Sequence, residues 1–239
     1  MSKELKIALV AEGPTDHIAI DAALKAMLGA RTFRLQSLPA EGSDAFTTYG
    51  GGWGKVYKWC HQAAVDGGGR LSSNTLVFGN FDMLILHVDA DVAGDEYDRI
   101  SRTPTATDLA LPCQLPCPPA LDTTTALRKV LLSWGNETTV PDRTVVCIPS
   151  KATDAWLIAA LFPNEPLIIG IECRDEPASW LANRPLADRV RKKRRDHEAK
   201  APALTSAWPT IAGVQGISEA QRFQQEILSM VEVIDAGTV

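Results

Sequence analysis

Short apolar runs alternate along this chain with stretches in which apolar residues recur every three or four positions. That alternation predicts an α/β fold with a mainly parallel sheet flanked by helices. LKIALV at 5–10 reads as a buried strand. A helix over 16–28 follows, with Ile20, Leu24, Met27 and Leu28 on one face and Gly29 as its stop. Residues 32–37 suit a second strand, and 53–65 a helix carrying Val56, Trp59, Cys60 and Ala63. DMLILHV at 82–88 is the clearest strand. A loop rich in Pro and Thr occupies 101–121, and Asp122 starts a helix running through Leu132. RTVVCI at 143–148 reads as a strand and TDAWLIAAL at 153–161 as a short helix.

From residue 163 Pro and charge become frequent. Ser218 and Gln221 form a capping-box pattern before a helix with Phe223, Ile227 and Val231 on one face. The texture divides the chain into a sheet domain, 1–162, and a C-terminal helical extension, 163–239, packed on it. Trp156, Trp208 and Trp180 read as core residues that fix the extension to the sheet.

Composition narrows the class. Of the 239 residues, 45% are hydrophobic and 22% charged, which excludes a disordered chain. No apolar run is long enough to span a bilayer, so no membrane partner is expected. The start, MSKELKIALV, lacks the features of a secretory signal. Five cysteines, an odd number, fit reduced thiols and a cytoplasmic location. A net charge of −5 excludes a general nucleic-acid coat. It leaves room for binding through a local basic patch or through metal ions.

Three acidic residues stand out by placement. Glu12 lies just past the first strand in AEGPTD, and Asp89 and Asp91 lie just past the clearest strand in HVDADVAG. Ligands in parallel α/β sheets bind outside the carboxyl ends of the strands. If the two strands are neighbours, three carboxylates converge, and a hard divalent cation relieves their repulsion. Asp16, by contrast, reads as a helix N-cap.

The combination of Glu-Gly after the first strand with DxDxxG after a later one resembles the Toprim superfamily, the metal-binding domain of topoisomerases, primases and OLD- and RloB-like nucleases. The resemblance covers roughly residues 5–162 and implies a Rossmann-like sheet. By it, Glu12 serves acid/base chemistry or metal binding, and Asp89 and Asp91 hold Mg²⁺ or Mn²⁺. PSKATDAWLIAAL is similar to a third block of Toprim-like proteins found beside ATPases in bacterial defence loci, with Asp154 where that block offers Glu. The implied activity is metal-dependent phosphodiester hydrolysis, with catalytic Glu12, Asp89 and Asp91 and metal ligands Glu12, Asp89, Asp91 and Asp154. An antiviral-defence role, an ATPase partner protein and a homo-oligomer are implied only by the resemblance. Topoisomerases need a further domain with a nucleophilic tyrosine, for which this chain has no room, so the nuclease branch fits best.

Other features carry less. Arg191, Lys192, Lys193, Arg194 and Arg195 form the one dense basic run, equally a nucleic-acid contact or a solvated face. DNA is favoured over RNA as the nucleic acid. Lys55 and Lys151 are further candidates for phosphate contact. GGGWGK at 50–55 fails the Walker A pattern, because Tyr49 stands where Gly is needed and Val56 follows the Lys. Cys113 and Cys117 are spaced C-x₃-C and read as two free thiols in a loop. A zinc site there needs His61 and His87 as its other ligands. His17 reads as solvated.

Two further classes compete. A haloacid-dehalogenase-like phosphatase also uses DxD after a strand, but that family places it after the first strand, where this chain has Glu12. A degenerate, non-catalytic Toprim module would bind nucleic acid or a partner without metal.

Overall fold

A computed structural model describes residues 3–40, 42–44, 49–215 and 217–237. Four strands form one parallel sheet: β1 (Leu5–Val10), β2 (Phe33–Ser37), β3 (Met83–His87) and β4 (Thr144–Cys147). Their order is β2-β1-β3-β4, with Ile7 opposite Met83 and Leu84 opposite Thr144. Six longer helices connect and cover them: α1 (Pro14–Leu28), α2 (Trp53–Asp66), α3 (Ala120–Trp134), α4 (Thr153–Leu161), α5 (Arg194–Pro209) and α6 (Ser218–Asp235). This is the α/β architecture expected, and each expected strand and helix has its counterpart within a few residues.

Period-two alternation sorts the strand side chains between two layers. Ile7, Leu9, Met83, Ile85 and Val145 pack with α1 and α4 on one face. Ala8, Val10, Leu84, Leu86 and Val146 pack with α2 and α3 on the other. The two layers bury β3 and β4 completely, as a sheet covered on two faces requires, while the edge strand β2 stays partly exposed.

The segment after residue 163 joins the first layer. Leu204, Trp208, Phe223 and Ile227 are buried in the same cluster as β1 and α1. Trp156 meets Trp208 edge to face at 5.1 Å and stacks on Phe223 at 6.0 Å. Trp180 is half-buried and packs edge to face on Phe162 at 5.1 Å. Among the described residues, no helix is long and apolar enough to cross a membrane.

Two expectations are corrected. Cys117 is not a free thiol; it is disulfide-bonded to Cys173, with the Cα atoms 5.5 Å apart. The bond ties the Pro-rich loop to the C-terminal segment, and it removes the all-reduced thiol pattern on which the cytoplasmic reading leaned. Cys113, Cys60 and Cys147 are free. The capping box at Ser218 does not form: Ile217 is the N-cap, so Ser218 lies inside the first turn. Its hydroxyl instead donates to Glu172 Oε1 at 2.8 Å, and Glu172 also accepts the Glu219 amide at 3.3 Å. A distant carboxylate thus serves the helix start that a local side chain was expected to serve.

Candidate metal centre

The chain leaves β1 for β2 on one side and later reaches β3 on the other. The carboxyl ends of β1 and β3 are therefore the switch point of the sheet, where parallel α/β folds hold ligands. Val10 ends β1 and His87 ends β3, so Glu12 and Asp89 each follow at the same short offset. The Asp89 amide donates to Glu12 Oε1 at 2.8 Å. Behind Glu12, the Gly52 amide donates to the Glu12 carbonyl at 3.2 Å, from a backbone at φ 65° that favours glycine.

Asp91 is the second residue of the short 3₁₀ turn after β3 (Ala90–Gly94), and its amide donates to the Lys151 carbonyl at 3.2 Å. One carboxylate oxygen each from Glu12, Asp89 and Asp91 lie within 4.8 Å of one another. The three residues expected at the site are thus brought together. Their grouping is consistent with an ion held by oxygen ligands.

A second group shares Asp89. Asp16, His87 and Asp89 each offer a ligand atom, again within 4.8 Å, and all three are buried. Asp16 is not the N-cap expected: Gly13 holds that position, and Asp16 is the third residue of the helix. Its Oδ2 accepts the Gly13 amide at 2.9 Å and its Oδ1 accepts the Thr153 hydroxyl at 2.8 Å. The Thr153 amide donates to Asp89 Oδ1 at 3.1 Å. His87 Nε2 lies 3.4 Å from Asp89 Oδ1 but makes no hydrogen bond among the described residues, and neither does Nδ1.

Burial and crowding set the electrostatics. Burial, then the neighbouring Asp89 and Asp16, holds the Glu12 carboxyl well above the usual range. Burial, then Asp16 and Asp91, does the same for Asp89. Burial also raises Asp91, against the pull of Lys192. Burial lowers the pKa of His87 despite the carboxylates around it. The cluster lacks enough positive charge of its own, so it suits a bound cation.

Asp154 falls outside both groups. It is the second residue of α4 and turns toward α5, where His197 Nε2 meets its Oδ1 at 3.0 Å. Both side chains are buried.

The basic residues divide. Lys192 is exposed yet stands in the field of Asp89, Asp16, Asp154 and Glu12; desolvation pulls its pKa down, and the carboxylates more than reverse it. Arg191 pairs with Asp196 at 3.1 Å, Arg194 with Glu198 at 2.8 Å, and Arg195 approaches Asp196 at 3.9 Å. Lys193 is the exposed N-cap of α5. Lys151 pairs with Asp175 at 2.8 Å. Lys55 is buried and, with Arg194, lines a cleft of about 350 Å³ beside Leu9, Ala11, Gly13 and Ser37.

The zinc alternative finds no support in the fold. His61 faces Asp108 at 3.0 Å, His87 lies in the acidic centre, and Cys117 is in a disulfide. His17 is not simply solvated; its Nδ1 contacts Ser37 Oγ at 2.9 Å.

Sequence reasoning missed Asp16 and His87 as members of the centre. A signal existed for His87: residues two apart on a strand share a face, and His87 stands two before Asp89. Asp16 stands one helical turn after Glu12. No protein-family model, curated protein or solved structure matches the chain, so its centre is read from its own geometry.

Proposed function

We propose that this chain is a divalent-metal-dependent phosphodiester hydrolase, a Toprim-like nuclease, with Glu12, Asp89 and Asp91 as its working carboxylates. The convergence of these three groups at the switch point of a parallel sheet carries the reading. All-oxygen ligation suits Mg²⁺, with Mn²⁺ as its substitute. When bound, such an ion polarises a phosphoryl oxygen and lowers the pKa of a coordinated water.

The chain's own residues supply the rest. Asp89 and Asp91 would hold the cation. Glu12 Oε1 is held by the Asp89 amide, leaving Oε2 to accept the proton of the attacking water. Water adds to phosphorus, the P–O bond to the leaving oxygen breaks, and that oxygen takes up a proton. Lys55 and Arg194 along the adjacent cleft offer positive charge to the phosphate backbone. DNA is the favoured substrate, and an ATPase partner protein with a role in antiviral defence is proposed on the resemblance alone.

The test is cleavage of plasmid, single-stranded DNA and RNA by the full chain in Mg²⁺, Mn²⁺ or EDTA. Activity should vanish in EDTA and in folded Asp89→Ala and Asp91→Ala variants. Equal cleavage by those variants rejects the site. One observation favours a second reading, a non-catalytic binding module. Lys192 stands in the field of the same carboxylates, as an internal cation could in place of a metal. Nucleic-acid binding that survives EDTA, without any cleavage, selects that reading.

A further inference from the structure

The inner group at Asp16, His87 and Asp89 asks for its own explanation. His87 is 0% exposed, both ring nitrogens lack a hydrogen-bond partner among the described residues, and Nε2 is aimed at Asp89. A buried imidazole normally finds a partner, because desolvation without one is unfavourable. An oxygen-only site has no use for it.

The two carboxylates are already oriented. Thr153, at the start of α4, donates its amide to Asp89 and its hydroxyl to Asp16, and the Gly13 amide holds the other Asp16 oxygen. Such outer bonds fix ligand direction in metal sites. The ligands come from three places, α1, the end of β3 and the turn after it, so the fold rather than a local motif assembles them.

Charge points the same way. Glu12, Asp16, Asp89 and Asp91 bring four carboxylates into two groups that share Asp89. One divalent cation neutralises half of that charge, and two neutralise it fully.

We infer that Asp16, His87 and Asp89 form a second, nitrogen-containing cation site, which takes a first-row transition metal such as Mn²⁺ or Zn²⁺ in preference to Mg²⁺. Imidazole suits those ions, whereas Mg²⁺ is held mainly by oxygen. The site shares Asp89 with the hydrolytic centre proposed above and otherwise uses residues that reading does not need.

The test is Mn²⁺ titration of the EDTA-stripped full chain, with pulsed electron paramagnetic resonance to detect ¹⁴N coupled to the ion. Wild type should bind two Mn²⁺ per chain, one of them nitrogen-coupled. His87→Leu should lose the coupling and weaken one site by more than about tenfold. Asp91→Asn should keep it, since Asp91 belongs only to the outer group. Should His87→Leu fail to fold, Asp16→Asn replaces it, and a weakened nitrogen-coupled site is again expected. Bound Mn²⁺ without nitrogen coupling in wild type, or coupling unchanged in His87→Leu, overturns the site. A nitrogen-coupled ion in a protein that cleaves nothing leaves this site standing and rejects the hydrolase instead.

Discussion

The Asp89 amide donates a 2.8 Å hydrogen bond to Glu12 Oε1, which joins the exit of β3 to the exit of β1. The two residues are 77 positions apart in sequence. Their bond holds one acidic residue against another. It is stabilising as a hydrogen bond and destabilising as a meeting of charges.

Substitutions at Glu12 separate those two effects. Glu12→Gln keeps an acceptor for the amide and removes the charge, so it should melt above wild type in EDTA. Glu12→Ala removes the acceptor as well and should fall below Glu12→Gln by about 1–3 kcal/mol. That corresponds to roughly 2–4 °C per kcal/mol for a chain of this size. Both should lose cleavage. Equal melting of the two variants would show that the bond contributes nothing.

Metal-free stability should depend on pH in a stated direction. The Glu12, Asp89 and Asp91 carboxyls are raised by burial first and then by neighbouring carboxylates, among them Asp16 and Asp95, so the folded state keeps protons that the unfolded chain releases. Stability from these groups is therefore greatest below the ordinary carboxylate range and declines as pH rises toward the elevated folded values. Denaturant midpoints in EDTA, compared between wild type and Asp89→Asn, isolate the effect. The variant should gain on wild type as pH rises, and Mg²⁺ should erase the gain. A gap that narrows with rising pH contradicts the account.

Lys192 stands in the field of the carboxylates that the proposed metal would occupy. Lys192→Gln should tighten Mg²⁺ binding by about 5–10-fold, equivalent to roughly 1 kcal/mol of relieved cation repulsion. Calorimetric titration reads the change directly. Unchanged or weaker binding would mean that Lys192 assists the ion.

Asp154 has a structural part to play. Its partner His197 lies on α5, so the pair links α4 to the C-terminal segment. Asp154→Ala should lower stability by about 1–3 kcal/mol through the orphaned imidazole. Mg²⁺ affinity should change less than threefold. A large loss of affinity with normal melting would return Asp154 to the ligand set.

The Cys117–Cys173 disulfide spans 56 residues and should stabilise the chain by about 4 kcal/mol in the chain-entropy view. Peptide mapping without reductant should recover the two cysteines cross-linked, and reduction should lower the melting temperature. Full alkylation of all five cysteines in unreduced protein would exclude the bond.

Much of this was legible in the chain. Glu12 and Asp89 announce themselves because each follows a short apolar run that forms a strand. Their meeting was not legible, because it depends on β1 and β3 being neighbours, a choice made by packing across the whole sheet. His87 is masked by the run it ends, where it passes for one more strand residue. Thr153, which orients Asp16 and Asp89, acts through folded contacts over 137 and 64 positions. Asp154 was expected among the metal ligands from the block it stands in, and nothing in the sequence pointed to His197, 43 positions away, which contacts its carboxylate.

The most direct test of the central claim is cleavage of a DNA with sulfur at one non-bridging oxygen of the scissile phosphate. Sulfur binds Mg²⁺ poorly and accepts softer ions better. If a cation held by Asp89 and Asp91 contacts that phosphate, the substitution should slow cleavage in Mg²⁺ and Mn²⁺ should restore it. Asp91→Ala should show neither activity nor rescue. Failure to cleave the unmodified DNA in any metal, or cleavage that Asp91→Ala retains, would contradict the account.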